Sequence, residues 1–298
     1  MRTLISGASG LVGCALVESL HTKGHNIRCL QRDKKAGSTR IWNTADLFSA
    51  AGSEDPFETV IHLAGENIAQ GRWSMVKKQR VMESRVEGTR QLIDYLATLP
   101  TPPQTFICAS AIGYYGNRGD EVLSEMSKAG SGFLSEICRK WEAEAHMAEA
   151  FGARVINLRF GMVLSPKGGG LHKMLPPFKV GIGGPIGNGR QFMSWVSIRD
   201  IVEIVDFVIH TESIRGPVNV VAPEAVNNKE FTKALSKVLG RPAKIPSPPF
   251  ILRLLFGEMA DEMILASIRV SPDKLLEAGY CFQDVDLEQT LKYCIHGA

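Results

Sequence analysis

Within its first thirteen residues the chain makes a turn that few folds accommodate. Arg2-Thr3-Leu4-Ile5 is a short apolar run, and Ser6-Gly7-Ala8-Ser9-Gly10-Leu11-Val12-Gly13 follows it directly. A strand that ends in glycines at GxxGxxG spacing and passes straight into a helical pattern reads as the opening of a parallel βαβ unit. Glycine permits the tight turn and lets a ligand approach the backbone, while the helix N-terminus behind it favours negative charge. The spacing differs from the GxGxxG dinucleotide fingerprint, but the physics is shared, so the turn predicts a pyrophosphate site. A glycine turn without a ligand is the alternative reading. A second apolar run at Asn26–Leu30, about 20 residues on, favours the cofactor.

The alternation continues to about residue 160. Apolar runs at Thr59–Leu63, Thr105–Ala109 and Arg154–Leu158 read as strands, with a very short one at Arg40–Trp42. Between them lie helix-period segments. Met75–Leu99 carries Met82, Val86, Leu92, Ile93 and Leu96 on one stripe and is closed by Pro100, Pro102 and Pro103. Leu134, Ile137, Trp141, Ala145 and Ala148 step by three or four. The expected fold is α/β, a Rossmann-type doubly wound parallel sheet. After residue 165 the chain becomes rich in glycine and proline, with a short helix at Leu171–Lys179. Then come a strand at Phe192–Val196, a helix at Ile198–His210, a strand at Val218–Val221 and a helix at Asn228–Leu239. A helix pair at Pro249–Ala266 and Pro272–Ala278, the second capped by Ser271, precedes a last helix from Val285. This predicts a Rossmann domain over 1–165 and a smaller C-terminal α/β substrate domain over 166–298, with the chain free to cross between them.

Charge narrows the partners. The 298 residues carry 34 basic and 31 acidic side chains, a net +3, too little to argue for nucleic acid or an acidic membrane surface. With 44% hydrophobic and 22% charged residues, wholesale disorder is excluded. Apolar stretches such as Pro248–Phe256 fall far short of the ~20 residues that span a bilayer, and Arg253 interrupts that one, so no membrane span is expected. None of the six cysteines sits in a CxxC pair and most lie in apolar runs, which suits a reducing compartment. A strand that starts at Arg2 leaves no room for a signal peptide ahead of folded structure. The expected address is the cytoplasm.

The segment Ser6–Gly13 resembles the TGxxGxxG element of the extended short-chain dehydrogenase/reductases. Four further segments agree: His62-Leu63-Ala64-Gly65, Gly88-Thr89, Leu158-Arg159-Phe160-Gly161 and Val196-Ser197-Ile198-Arg199-Asp200. The runs Ala64-Gly65-Glu66-Asn67-Ile68…Gly71-Arg72-Trp73 and Gly183-Gly184-Pro185-Ile186-Gly187 resemble a subgroup of NADP-dependent epimerase-like proteins, often labelled sugar-nucleotide epimerases or cell-division inhibitors by similarity. The likeness covers essentially the whole chain. It implies NAD or NADP held by Gly7, Ser9, Gly10, Leu11, Val12 and Gly13, with Leu63, Ala64, Gly65 and Ala109 at strand ends beside the ligand. Charge selects the dinucleotide. The second strand ends Leu30-Gln31-Arg32 where NAD sites usually place an acid, and Arg32 offers a planar fork for a 2′-phosphate, so NADP(H) is expected, with Gln31 beside it. A solvated basic loop, with Lys34 and Lys35, is the alternative. Arg85 takes a position that faces the cofactor in the resembled family, and Arg80 lies on an adjoining face. Either reaches a phosphate, or both line the wet side of a helix. Arg159 ends the fifth strand, where the family carries a similar arginine near the nicotinamide.

Chemistry is where the chain departs from the resembled family, whose members use a Ser and a Tyr-x-x-x-Lys pair. The segment Phe133-Leu134-Ser135-Glu136-Ile137-Cys138-Arg139-Lys140-Trp141-Glu142 has no tyrosine. Placed by Glu142, the two positions hold Leu134 and Cys138. Placed by Lys140, the tyrosine position is Glu136, and the two form an ordinary surface pair. Ser110 closes the fourth strand, although Ala111 competes for the serine position. Tyr114 and Tyr115 are the only phenols nearby, so a non-standard catalytic site of Ser110 with Tyr114 or Tyr115 is expected. Two readings follow: an NADP(H)-dependent oxidoreductase or epimerase acting on a small polar substrate, a sugar nucleotide among the candidates, or an NADP(H)-binding regulator without hydride transfer. Lys167, His172, Lys173, Lys179, Arg190 and Trp195 are the polar candidates of the second domain, and the glycines around 168–189 suggest a mobile cover. The long helices Met75–Leu99 and Leu134–Ala150 offer faces for a homodimer. His21 and His25 are four apart, but Gly24 ends the helix between them, so no metal is expected.

Overall fold

A computed structural model describes residues 1–31, Trp42 and residues 56–297. Arg32 and the expected strand at Arg40–Trp42, apart from Trp42 itself, lie outside the described residues. Six strands form the central sheet: β1 (Arg2–Ser6), β2 (Asn26–Leu30), β3 (Thr59–His62), β4 (Thr105–Ala111), β5 (Arg154–Phe160) and β6 (Gly216–Val220). Their order is β6-β5-β4-β3-β1-β2, and every neighbouring pair is parallel. The helices are α1 (Leu11–Thr22), α2 (Met75–Ala97), α3 (Phe133–His146), α4 (Gly169–Lys179), α5 (Ile198–His210), α6 (Asn228–Leu239), α7 (Pro249–Phe256), α8 (Asp273–Glu277) and α9 (Leu287–His296).

Alternation along the strands builds two cores. Leu4, Val60, Phe106 and Val155 face α2 and α3, where Leu92, Leu96, Trp141 and Ala145 meet them. Their neighbours Ile5, Ile61, Ile107 and Ile156 face α1 and α5, against Leu16, Leu20, Ile201 and Val205. Both faces are covered, as an all-parallel sheet requires. The sheet order reverses between β1 and β3, the switch point at which such sheets bind ligands beyond their carboxyl ends.

The lobe boundary is not linear. The strand expected in the second domain is β6, which pairs with β5 at the sheet edge, Val218 opposite Leu158. Arg154 locks this return: its guanidinium donates to the carbonyls of Val208, Ile209, Thr211 and Ile214, the C-terminal end of α5 and the turn after it. The second lobe has its own core, in which Leu171, Leu175 and Phe178 of α4 pack with Trp195, Phe231, Leu235 and Leu291. Helix α4 is anchored by its apolar face, and this corrects one expectation: Trp195, 1% exposed, is core. Lys167, His172, Lys179 and Arg190 are exposed. Two helix ends also differ. The expected Pro249–Ala266 helix stops at Gly257 (φ +60°) and resumes as a π turn at Ala260–Ile264. Pro272, not Ser271, takes the N-cap position of α8, without a side-chain cap, and the Ser271 hydroxyl bonds the Asp273 carboxylate.

Candidate functional site

The glycine turn crosses the switch point. Gly7 has φ +76°, and a Cβ there would meet the Ala64 nitrogen at 2.7 Å, so the turn rides directly on the chain leaving β3. A Cβ on Gly13 would fall 2.2 Å from the Gly7 carbonyl oxygen, which explains a glycine inside the first turn of α1. Gly10 meets only a 3.3 Å contact and is exposed together with Ser9. Gly10 is the N-cap of α1, with no side-chain cap and no acidic residue in the first turn. Donor groups and positive dipole therefore face an open corner, the arrangement that suits a pyrophosphate. Leu11 and Val12 are half-buried, Leu11 lying beneath Gly168 and Gly169 of the second lobe. Gln31 is exposed at the end of β2.

Across the corner, Leu63 and Gly65 are half-buried and Ala64 is buried. The Arg85 guanidinium lies against Gly65, within 3.0 Å of where a Cβ would sit. It donates to the Glu66 carbonyl at 3.0 Å and covers the Trp141 ring at 4.9 Å. Arg80 is exposed on α2, about 140° around the helix from Arg85, and the structure does not bring the two together. Behind the strand ends runs a buried network that sequence reasoning missed. Ser6 Oγ is 2.6 Å from His62 Nδ1, and His62 Nε2 is 3.0 Å from Thr89 Oγ1. Thr89 spends its only proton on the Arg85 carbonyl and also accepts from Trp141 Nε1 at 3.0 Å. His62 must therefore donate from Nε2 and accept the Ser6 proton at Nδ1. Complete burial, helped by the Arg85 charge, depresses the His62 pKa to about 3 and keeps the ring neutral.

A second network lies behind the ends of β4, β5 and β6. Arg159, at 2% exposure, makes a two-pronged contact with Glu142: Nε to Oε1 and Nη2 to Oε2, both 2.8 Å. Ser110 Oγ donates to the same Oε1 at 2.6 Å. Arg159 also donates to the Tyr115 hydroxyl at 2.9 Å, and Tyr115 donates in turn to Asn219 Oδ1 at 2.6 Å. Burial pushes the Tyr115 phenol up to about 12, against the lowering influence of Arg159. For Arg159, burial opposes the charged form, but the hydrogen bonds and charge of Glu142 prevail and raise its pKa.

Two of the expected catalytic residues, Ser110 (3% exposed) and Tyr115 (0%), are buried with their protons donated to Glu142 and Asn219. Ala109 is likewise buried in the first core. Tyr114 remains. It is half-buried, its ring stacks on Arg159 with Cζ 3.5 Å from the centroid, and its hydroxyl makes no hydrogen bond among the described residues. Lys140 forms an exposed pair with Glu136 at 2.7 Å, away from these groups. Helix α3 is thus placed by Glu142, which sets Leu134 against Gly113 and buries Cys138 beside Ser110. Burial, with the Glu142 charge, pushes the Cys138 thiol up to about 11. The start of α3 is capped from far along the chain: the Glu262 carboxylate accepts from the Phe133 and Leu134 amides at 2.8 Å each. Among the residues to which sequence reasoning gave no site role, Glu142 and Asn219 had a signal, being polar side chains inside otherwise buried faces. Glu262 had none.

A doubly wound parallel sheet with a glycine turn at its switch point and small residues at the facing strand end defines a dinucleotide-binding Rossmann protein. Residues 3–222 match the NAD dependent epimerase/dehydratase family, and the chain belongs to it. Residues 247–294 match DUF1731, a domain of unknown function. Among its relatives is the epimerase family protein MT2273 of Mycobacterium tuberculosis, 40% identical over 295 residues, covering 97% of this chain and 96% of that protein. The crystal structure of human epimerase family protein SDR39U1 (isoform 2) with NADPH superposes with a TM-score of 0.88 at 32% identity over the whole of both chains. A nucleoside-diphosphate sugar epimerase from Corynebacterium glutamicum gives 0.76 at 34% identity, covering 99% of this chain and 58% of that one.

Proposed function

We propose that the protein binds NADP(H) along the glycine turn and transfers a hydride to or from a small polar substrate, sugar nucleotides being the first class to test. The observation that carries the cofactor reading is the exposed Ser9-Gly10 corner ahead of α1, between glycines whose neighbours leave no room for a Cβ. NADP(H) is favoured over NAD(H) by Arg32 following Gln31, and the human relative binds NADPH. When bound, NADP(H) supplies or accepts the hydride. The protein's own part is to hold charge and protons. Gly7, Gly10 and Gly13 shape the pyrophosphate corner, Arg85 presents a cation beside Gly65, and the Arg159–Glu142 pair holds Tyr114 with its hydroxyl as proton donor. Leu134, Cys138 and Ala111 replace the usual relay, so ordinary sugar-nucleotide epimerisation is expected to be weak or absent.

The same three residues favour a second reading, an NADP(H)-binding regulator that performs no hydride transfer. Two measurements separate the cases. Calorimetry is expected to show NADPH binding at least tenfold tighter than NADH, with the difference lost in Arg32→Ala; equal affinities would refute the cofactor assignment. Single-turnover NADPH oxidation across a panel of keto sugars and sugar nucleotides is then expected to collapse in Tyr114→Phe while Lys140→Ala stays active. Tight NADPH binding with no turnover across the panel would select the regulator.

A further inference from the structure

At the end of the strands opposite the glycine turn, three metal-ligand side chains from two elements converge. His25 sits in the turn between α1 and β2, and Asp206 and His210 lie one helical turn apart on the same face of α5. Their nearest ligand atoms all fall within 4.8 Å of one another. His25 Nε2 is 4.0 Å from Asp206 Oδ1 and His210 Nδ1 is 3.6 Å from it, too far for hydrogen bonds. Asp206 Oδ1 and His25 Nδ1 are both buried without a hydrogen-bond partner, and the His25 side chain is only 7% exposed. An unsatisfied buried carboxylate oxygen is costly, and Asp206 Oδ1, with His25 Nε2 and His210 Nδ1 facing it beyond hydrogen-bond reach, marks a place where something else completes the set.

The carboxylate supplies the site's negative charge. Lys23 bonds Asp206 Oδ2 at 2.8 Å and Glu203 at 2.9 Å, so two carboxylates share one ammonium and Oδ1 is left turned toward the imidazoles. Two imidazoles and a carboxylate oxygen are ligands that suit zinc, which holds them at about 2.0–2.2 Å in tetrahedral array. That array needs the ligand atoms to draw in from their present spacing. His210, 62% exposed, has the freedom to rotate, exchanging its 2.9 Å bond to the Asp206 carbonyl for the metal.

We propose that His25, Asp206 and His210 form a site for one divalent transition-metal ion, zinc by the chemistry of its ligands, with the fourth position open to water. The Lys23 contact orients the carboxylate from its outer oxygen. The ion ties the α1–β2 turn to α5. It plays no part at the cofactor corner, which lies at the other end of the strands.

The test is calorimetric titration of zinc sulfate into the full chain carrying Cys14→Ser and Cys281→Ser, which removes the two exposed thiols. One zinc per chain is expected, with an upward shift of Tm that grows with zinc concentration. Affinity should fall at least tenfold in His210→Ala and in His25→Gln. The exposed position of His210 makes its variant the decisive one should His25→Gln fail to fold. Cobalt substitution should give the visible spectrum of a four-coordinate N/O site without thiolate charge transfer. No zinc binding, undiminished binding in His210→Ala, or a thiolate band would overturn the proposal.

Discussion

The buried His62 makes stability depend on pH in a way that can be calculated. Its ring is fully enclosed between Ser6 and Thr89, and its pKa falls from 6.5 to about 3. Below pH 6.5 the unfolded chain takes up a proton that the folded ring refuses, so stability drops as pH falls. The slope approaches about 1.36 kcal/mol per pH unit for one proton. Between pH 8 and pH 4.5 the loss attributable to this ring reaches about 2.7 kcal/mol. Ending at pH 4.5 leaves most carboxylates ionised. The assay is urea denaturation of the wild type and of His62→Gln at several pH values in that window. Gln does not titrate, so the variant pays a fixed cost at every pH, and the wild-type advantage should shrink by about 2.7 kcal/mol toward the acid end. Nitrogen-15 NMR of the wild type should show a neutral ring protonated at Nε2. Parallel stability curves, or an imidazolium signal at pH 5.5, would refute the reasoning.

Three further outcomes follow from the same geometry. Glu142→Ala leaves the Arg159 guanidinium buried without its counter-charge and should cost about 3–5 kcal/mol in chemical denaturation; a loss below about 1 kcal/mol would show that water reaches Arg159. Gly13→Ala drives a Cβ into the Gly7 carbonyl and should lower Tm by several degrees, whereas Gly10→Ala, with only a 3.3 Å contact, should be far milder; similar Tm values for the two variants would contradict the packing of the turn. Lys140→Ala removes an exposed pair, with side chains 50% and 44% accessible, and should change unfolding free energy by less than about 0.5 kcal/mol. A larger loss would mean that this pair is not the surface contact the structure draws.

Local pattern was a good guide to elements and a poor one to partners. Helices α5 and α6 begin and end where their apolar period and flanking signals place them, at Ile198–His210 and Asn228–Leu239. Strands β3 to β5 announced themselves as unbroken apolar runs, because a parallel strand is covered on both faces. The return of β6 to the first sheet could not be read, since nothing in Gly216–Val220 specifies which edge it will join. The site shows the same division. Gly7, Gly10 and Gly13 reveal the tight strand-to-helix turn by spacing alone. The hydrogen bonds of Ser110 and Tyr115 could not be read, because the residues that accept their protons, Glu142 and Asn219, lie 32 and 104 positions away. A hydroxyl's availability is a property of the folded neighbourhood, and its own sequence context is silent about it.

The late arrival of β6 has a consequence for how the chain is made. When residue 165 leaves the ribosome, β5 is still an open edge, and Arg154 has none of the carbonyls that later receive it. At about 5–20 residues per second, some 3–11 s pass before the nascent chain reaches residue 220 and can close that edge. An exposed strand of Val155, Ile156 and Leu158 is a template for wrong pairing during that interval. The nascent Rossmann half is therefore a natural client for a chaperone that holds apolar strands. A fragment ending at residue 165, which lacks β6, is expected to aggregate more readily than one ending just past Val220.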